Sequence, residues 1–118
     1  MLRTIKEWAK DDRPREKLLM KGSSALSDAE LIAILIHHGT KEKSAVQLGR
    51  EILQLAQNDL VKLSKLSVKD ITKIKGIGEA KAVTIVAALE LGTRRDVLAT
   101  KKLIVSSSAD VAAFLRHQ

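Results

Sequence analysis

A turn with glycines at alternate positions, Gly76-Ile77-Gly78, constrains the fold of this chain more than any other stretch. A helix-start signal precedes it, because Ser67 can cap a helix and Asp70, three residues later, can complete a capping box. From Glu79 to about Thr93 the chain is rich in Ala, Val, Ile and Leu, which predicts a buried helix. The turn is therefore predicted to reverse the chain between two helices.

The same turn is suited to hold a phosphate group. Alternate glycines allow positive φ angles and a close approach of the backbone to a ligand. The helix that follows offers unpaired N–H groups and the positive end of its dipole. The pattern resembles the helix-hairpin-helix motif of proteins that bind DNA without sequence specificity, with Lys75 where that motif has a small residue or proline. The alternative is that Gly76 and Gly78 only form a tight turn.

The predicted DNA-binding residues lie in this turn and in the first turn of the next helix. Backbone N–H groups would point at one phosphate, two lysines would add positive charge, and Ile77 is expected to be a buried plug. No aromatic side chain lies near the turn to stack on single-stranded bases, so salt-sensitive, non-specific binding to duplex or junction DNA is expected. The set comprises Lys75, Gly76, Ile77, Gly78, Glu79, Ala80, Lys81 and Lys73, with Lys69 as a further outer contributor.

Positive charge is concentrated around the same turn. The net charge is +7, and residues 1–59 contain ten basic and nine acidic side chains. Residues 60–102 contain ten basic and only four acidic side chains. A local basic cluster is typical of a surface that meets a polyanion, although a solvated basic face is the alternative.

A second copy of the helix-start signal, Ser27 with Glu30, lies 40 residues before the first. After the turns the offset that aligns the two halves becomes 37, with Gly39 falling on Gly76. We therefore predict a duplicated helix-hairpin-helix with a complete second copy and a degenerate first copy. The predicted core contains Leu31, Ile34, Leu35, Val46, Leu48 and Ile52 from the first copy and Ile71, Ile74, Val83, Ile85, Val86 and Leu89 from the second.

The predicted fold is all-α, a tandem helix-hairpin-helix bundle of five to seven short helices, since the chain has one proline and six glycines among many helix formers. A helical arm is expected over residues 1–25, with Trp8 as an anchor, Asp11 or Asp12 as a cap and Gly22 as a stop. The tandem domain is expected over 26–97, with copies at about 26–57 and 66–93. A linker and a lead-in helix are expected over 98–118, after residues 93–95 close the long helix.

An ordered run of motifs resembles the N-terminal region of bacterial RadC proteins, also called the UPF0758 family. The motifs are Asp12–Leu19, Ala25–Leu31, Gly39–Lys41, and Ile74–Gly78 with Lys81-Ala82. The resemblance implies a role in DNA repair or recombination. It also implies that the helical module precedes a JAB/MPN-type domain, which has a metalloprotease-like fold and a zinc-binding His-x-His…Asp motif. This chain lacks that motif, so zinc is implied only for the missing domain.

No catalytic or metal-binding group of residues is expected within the chain itself. His37 and His38 are adjacent and would point about 100° apart on a helix, which suits chelation poorly. The absence of cysteine excludes disulfides and thiolate metal sites. The chain is therefore expected to be no enzyme and to need no cofactor, although the resemblance implies that such a hairpin can hold a monovalent cation.

The expected partners are non-specifically bound DNA and, in the full-length protein, the chain's own JAB/MPN domain. The alternative function is a protein-interaction or dimerisation module that docks or regulates that domain, with a homodimer as one form. No apolar run is long enough to cross a bilayer and no signal-peptide core is present, so a cytoplasmic protein without membrane contact is expected.

Overall fold

The structure, a computed structural model, describes residues 13–117, and the surroundings of side chains as far as residue 104. Within these residues all regular structure is helical, which confirms the predicted all-α class. The helices are α1 (Pro14–Lys21), α2 (Asp28–Ile36), α3 (Ala45–Leu55), α4 (Leu60–Leu63), α5 (Val68–Ile71) and α6 (Glu79–His117), with a 3₁₀ turn at Ser23–Ala25. The predictions for Trp8, Asp11 and Asp12 lie outside the described residues.

The chain divides into two compact units, Met1–Val86 and Ala87–Gln118. The first unit contains α1 to α5 and the beginning of α6, and therefore the whole Gly-Ile-Gly hairpin. The second unit contains the remainder of α6, where Arg94 pairs with Glu90 at 2.9 Å on the exposed helix surface. The three-part division predicted from the sequence is not tested by these units and stays a prediction.

The long helix does not end where the sequence predicted. α6 continues without a break through residues 93–95, where its end was expected, and into residues 98–117, where a linker and a separate lead-in helix were expected. No proline or glycine follows Gly92 to stop the helix, and the Ala, Leu and Lys residues there are strong helix formers. Basic residues favour a helix C-terminus, but they do not terminate a helix by themselves. The prediction of short helices is therefore wrong for α6, which has 39 residues.

Three helices begin with a complete capping box, in which a serine side chain and the side chain three residues later each bond the other's backbone N–H. The pairs are Ser27 with Glu30 at α2, Ser44 with Gln47 at α3, and Ser67 with Asp70 at α5. The first and third were predicted. The role of Gln47 was not, although its Ser-x-x-Gln spacing carries the same signal. Gly22 ends α1 at φ 88°, as predicted.

The core is aliphatic, and its largest fully buried side chains are Leu48, Ile52, Leu63, Ile71 and Ile85. The prediction of a buried core position is wrong for two residues, because Leu31 is 37% exposed and Val83 is 48% exposed. The buried side of α2 consists of Ala29, Ile32, Ala33 and Ile36. That spacing of three and four residues defines one helical face, and Leu31 lies off it.

The two predicted copies agree in their first helices more closely than in their second. α2 begins at residue 28 and α5 at residue 68, as the offset of 40 requires. α3 begins at residue 45 and α6 at residue 79, which is 34 residues later instead of 37. The first helix of the second copy is also a single turn of four residues. The tandem arrangement accordingly stays a prediction.

Glu30 connects the cap of α2 to α1. Its carboxylate accepts the Ser27 N–H at 2.9 Å and lies 3.2 Å from the ammonium of Lys17. The backbone hydrogen bond from Ser27 is the main cause that holds the pKa of Glu30 below its ordinary value, and Lys17 adds to it while partial burial opposes it. The carboxylate therefore stabilises the fold only while it is ionised.

We expect Glu30→Gln to weaken the dependence of stability on pH. Because the folded-state pKa of Glu30 is lowered, its contribution is complete above the ordinary value of about 4.3 and is lost as the pH falls through the folded-state value. Glutamine retains the capping geometry, as Gln47 does at α3. Urea unfolding at several pH values between about 3 and 6 measures this, and an unchanged slope in the variant would contradict it.

Candidate nucleic-acid interface

The hairpin between α5 and α6 is closed by backbone hydrogen bonds. The N–H of Ile74 donates to the carbonyl of Ile71 at 3.2 Å, and the N–H of Ile77 donates to the carbonyl of Ile74 at 3.1 Å. The side chain of Ile77 is only 3% exposed, in agreement with its expected role as a plug. Since its N–H is satisfied within the turn, Ile77 has none left to offer a ligand.

Gly76 is required at its position by both conformation and space. Its φ of +100° is rarely adopted by other residues. A Cβ at this position would lie 2.8 Å from Cγ2 of Thr40 and 3.3 Å from Cδ2 of Leu48. The second hairpin therefore packs directly on the loop and on the helix of the first hairpin at this glycine.

Gly78 has a different role from Gly76. Its φ lies outside the left-handed region, and a Cβ built on it would meet nothing within 4 Å. Its carbonyl accepts the N–H of Ala82 at 3.1 Å, which makes it the N-cap residue of α6. The sequence argument that alternate glycines serve the backbone conformation is therefore right for Gly76 and wrong for Gly78.

The N-terminus of α6 is open to solvent. In the described part of the chain, no protein acceptor takes a hydrogen bond from the N–H groups of Gly78, Glu79, Ala80 or Lys81. The first three of these residues are exposed. By contrast, α2, α3, α4 and α5 each begin with a side chain that accepts from the first backbone N–H groups. Of the described helices, α1 also lacks a side-chain cap, but it has eight residues, whereas α6 has 39 and begins with its donors at the positive end of that dipole.

Among the lysines around this N-terminus, Lys75 is exposed in the turn itself. Lys81 is half-buried, and its ammonium donates to the carbonyl of His38 at 2.8 Å. Lys73 lies 3.7 Å from the carboxylate of Asp70, and both side chains are exposed. Lys81 is thus engaged in joining the two hairpins, a contact between residues 43 positions apart that no local sequence signal could indicate.

Glu79 places a negative charge in the first turn of α6, next to the open N–H groups. A carboxylate there is favourable for the helix dipole, but it repels a bound anion. Over residues 60–86 the sequence has six basic side chains against two acidic ones, Asp70 and Glu79. The other four basic residues of the positive stretch, Arg94, Arg95, Lys101 and Lys102, belong to the second unit.

A groove of about 230 Å³ lies beside the turn, and the sequence did not indicate it. It is lined by Thr40, Lys41, Glu42, Lys43, Lys75 and Gly76. The first hairpin loop therefore faces the glycine turn across a shared depression. Residues far apart in sequence form it, and the packing of Gly76 against Thr40 brings the two segments next to each other.

The two adjacent histidines lie at the end of α2. His37 is the C-cap residue with φ 65°, and the two ring centroids are 6.2 Å apart. Across the described residues, no group of three His, Asp or Glu side chains is arranged to hold a metal ion. No helix in the same part of the chain is both long enough and apolar enough to span a membrane.

Comparison with known proteins identifies similar sequences. The family model described as UPF0758 N-terminal matches residues 5–83. A UPF0758 protein of Flavobacterium johnsoniae is 57% identical over 108 residues, which are 89% of this chain and 47% of that protein. One from Trichlorobacter lovleyi is 43% identical over 117 residues, 97% of this chain and 51% of that protein. A third, from Geobacillus kaustophilus, is 53% identical over 90 residues, 76% of this chain and 39% of that protein.

The chain spans about half the length or less of these curated relatives. The family match contains α1 to α5, the glycine turn and the first residues of α6. No solved structure matches the chain.

We expect alanine substitutions to separate the roles of the two glycines. Gly76→Ala should lower the free energy of unfolding by about 2 kcal/mol or more, because it adds strain at positive φ and a steric clash. Gly78→Ala should cost about 1 kcal/mol or less, since only the preference for glycine over alanine at an N-cap is lost. Urea unfolding measures both, and equal losses would contradict this assignment of roles.

Proposed function

The chain belongs to the UPF0758 family, and we propose that its first unit binds DNA through the phosphate backbone without reading the base sequence. The observation that carries the proposal is the open N-terminus of α6 at Gly78. In each helix from α2 to α5, a side chain accepts one or two of the first-turn N–H groups, whereas α1 has no side-chain cap. At α6 no side chain takes any of these donors in the described part of the chain, and this helix is the longest, with 39 residues.

A phosphate oxygen suits these donors. The N–H groups at Gly78, Glu79 and Ala80 are exposed and lie at the positive end of a long helix. Hydrogen bonds to a charged acceptor contribute about 1.5–3 kcal/mol each, more than bonds between neutral groups. Lys75 adds charge from the turn, and Lys81 and Lys73 add weaker attraction because each already has a protein partner.

The same residues favour non-specific binding. The described hairpin has no aromatic side chain for base stacking, and its donors are backbone groups that carry no sequence information. The carboxylate of Glu79 opposes phosphate binding, so a single hairpin should bind weakly. Attraction between lysines and phosphates releases counterions, and affinity should therefore fall steeply with salt.

The biological setting that we propose is DNA repair or recombination by a RadC-like protein in the cytoplasm. The chain supplies the DNA-binding unit and performs no catalysis in this proposal. A metal-dependent hydrolase activity, if the longer relatives have one, would belong to a JAB/MPN-type domain in the part of their length that this chain does not match.

The sharpest test closes the N-terminus of α6 with a side chain. Gly78→Ser can be accommodated, because φ is ordinary and nothing lies within 4 Å of the added Cβ. The serine hydroxyl should accept a first-turn N–H and raise the free energy of unfolding by a few tenths of a kcal/mol. DNA affinity should fall about tenfold, because the hydroxyl occupies a donor that the phosphate needs.

Stability and affinity should therefore change in opposite directions, which separates this effect from damage to the fold. Fluorescence anisotropy with a labelled 20-base-pair duplex measures affinity. Gly92→Ser is the matched control, since Gly92 also has open space around it but lies within the second unit. Unchanged DNA affinity in Gly78→Ser would disprove the proposed site.

A second test reverses the charge in the turn. Lys75→Glu should weaken duplex binding by about tenfold or more, because it removes one phosphate contact and adds a repulsive charge. Lys65→Glu makes the same change in net charge at another exposed position of the first unit. An equal loss in both variants would assign the binding to overall charge and not to the hairpin.

A protein-docking function is the second candidate, and one observation in the second unit favours it. Five large aliphatic side chains of α6 are between 50% and 68% exposed there: Leu91, Val97, Leu98, Leu103 and Ile104. Such side chains are typical of surfaces that meet another protein, either a second copy or the remaining half of the longer relatives. Light scattering of the chain and of a Leu91→Glu/Leu98→Glu variant would reveal a dimer formed through these side chains.

A further inference from the structure

We propose that the groove between the two hairpins is a second phosphate site, with Lys41 as its principal cation. This inference rests on the proposed function and extends it. The polyanion would contact the open N-terminus of α6 with one phosphate and the groove with another. The partner is then a nucleic acid duplex, which presents several phosphates in a fixed arrangement, and not a free phosphate or a mononucleotide.

The loop that forms one wall of the groove is already ordered by its own hydrogen bonds. The N–H of Thr40 donates to the carbonyl of Lys43 at 2.8 Å. The hydroxyl of Thr40 accepts the N–H groups of Glu42 and Lys43 at 3.2 and 3.1 Å. Little backbone conformational entropy of the loop therefore remains to be lost when a ligand enters the groove.

These bonds also decide which groups can bind. The N–H groups of Thr40, Glu42 and Lys43 are used within the loop, and those of Ser44 and Gln47 are used by the capping box of α3. These donors are not available to a phosphate. The contribution that we propose for the first hairpin is therefore side-chain charge.

The charge that remains available in the groove is positive. Lys43 is paired with Glu51 at 2.7 Å, so its charge is largely compensated. Lys41 and Lys75 are exposed, and no ion pair joins either of them to a carboxylate in the described part of the chain. Against these two cations the groove contains one further acid, Glu42.

Two contacts hold the hairpins in one arrangement. Gly76 packs against Thr40 and Leu48, and the Lys81 ammonium bonds the carbonyl of His38 at 2.8 Å. Lys41 and Lys75 therefore stand on opposite walls of a groove whose width is set by packing. Two cations on the walls of one groove suit a ligand that carries several phosphates, as a duplex does.

The experiment compares salt dependence of duplex binding in three glutamine variants. Lys41→Gln and Lys75→Gln should each reduce the log–log salt slope by about 0.9, because each removes one phosphate contact. Lys65→Gln is the matched control for loss of one exposed positive charge and should leave the slope nearly unchanged. Fluorescence anisotropy with a 20-base-pair duplex between about 50 and 200 mM salt provides the slopes. Thermal unfolding should be the same for all three variants, since the three lysines are exposed.

The outcomes separate the two proposals. Reduced slopes for both Lys41→Gln and Lys75→Gln support the second phosphate site. A reduced slope for Lys75→Gln, with Lys41→Gln matching Lys65→Gln, would overturn the groove and leave the proposed function standing. No measurable binding of the duplex by the unmodified chain would overturn both.

Discussion

The contact of Gly76 with Thr40 and Leu48 is the constraint on which the rest of the first unit depends. It places the second hairpin against the loop and the helix of the first, so closely that a Cβ at residue 76 would lie 2.8 Å from Cγ2 of Thr40. Leu48 is itself fully buried, so the glycine turn packs directly against a residue of the core. The groove beside the turn is lined by Thr40 and Gly76, and the bond from Lys81 to His38 is a second contact between the two hairpins.

The way in which the helices begin distinguishes α6 from α2, α3, α4 and α5. Serine capping boxes close α2, α3 and α5, and Asp59 caps α4. Such caps satisfy backbone donors and stabilise short helices that could not form alone. At α6 a glycine occupies the same position and leaves the donors open. The fold can tolerate this omission, because α6 is long and its first turns are fixed in the core by Ala82 and Ile85.

Charge adds attraction without adding specificity. Residues 60–86 contain two acidic side chains. Asp70 caps α5, and Glu79 opposes the binding of an anion at the start of α6. The hydrogen bond from the N–H of Ser67 is the main cause that lowers the pKa of the Asp70 carboxyl, so that cap stays ionised to a lower pH than an ordinary aspartate would. The proposed interface therefore balances lysines against a resident carboxylate, as expected for a weak and salt-sensitive contact with phosphates.

The sequence by itself determined the features that depend on neighbouring residues: the all-α class, the capping boxes at Ser27 and Ser67, the turn at Gly76 and the family. These follow from spacings of three or four residues and from backbone preferences, which are local. Only the tertiary structure decided that Lys81 bonds His38 and that Thr40 faces Gly76. It also showed that Leu31 lies off the buried face and that α6 continues past residue 93. The first two outcomes depend on how distant segments pack, which no pattern along the chain encodes. The last two have local causes, the spacing of the buried residues in α2 and the absence of a stop signal after Gly92, which the prediction did not weigh correctly.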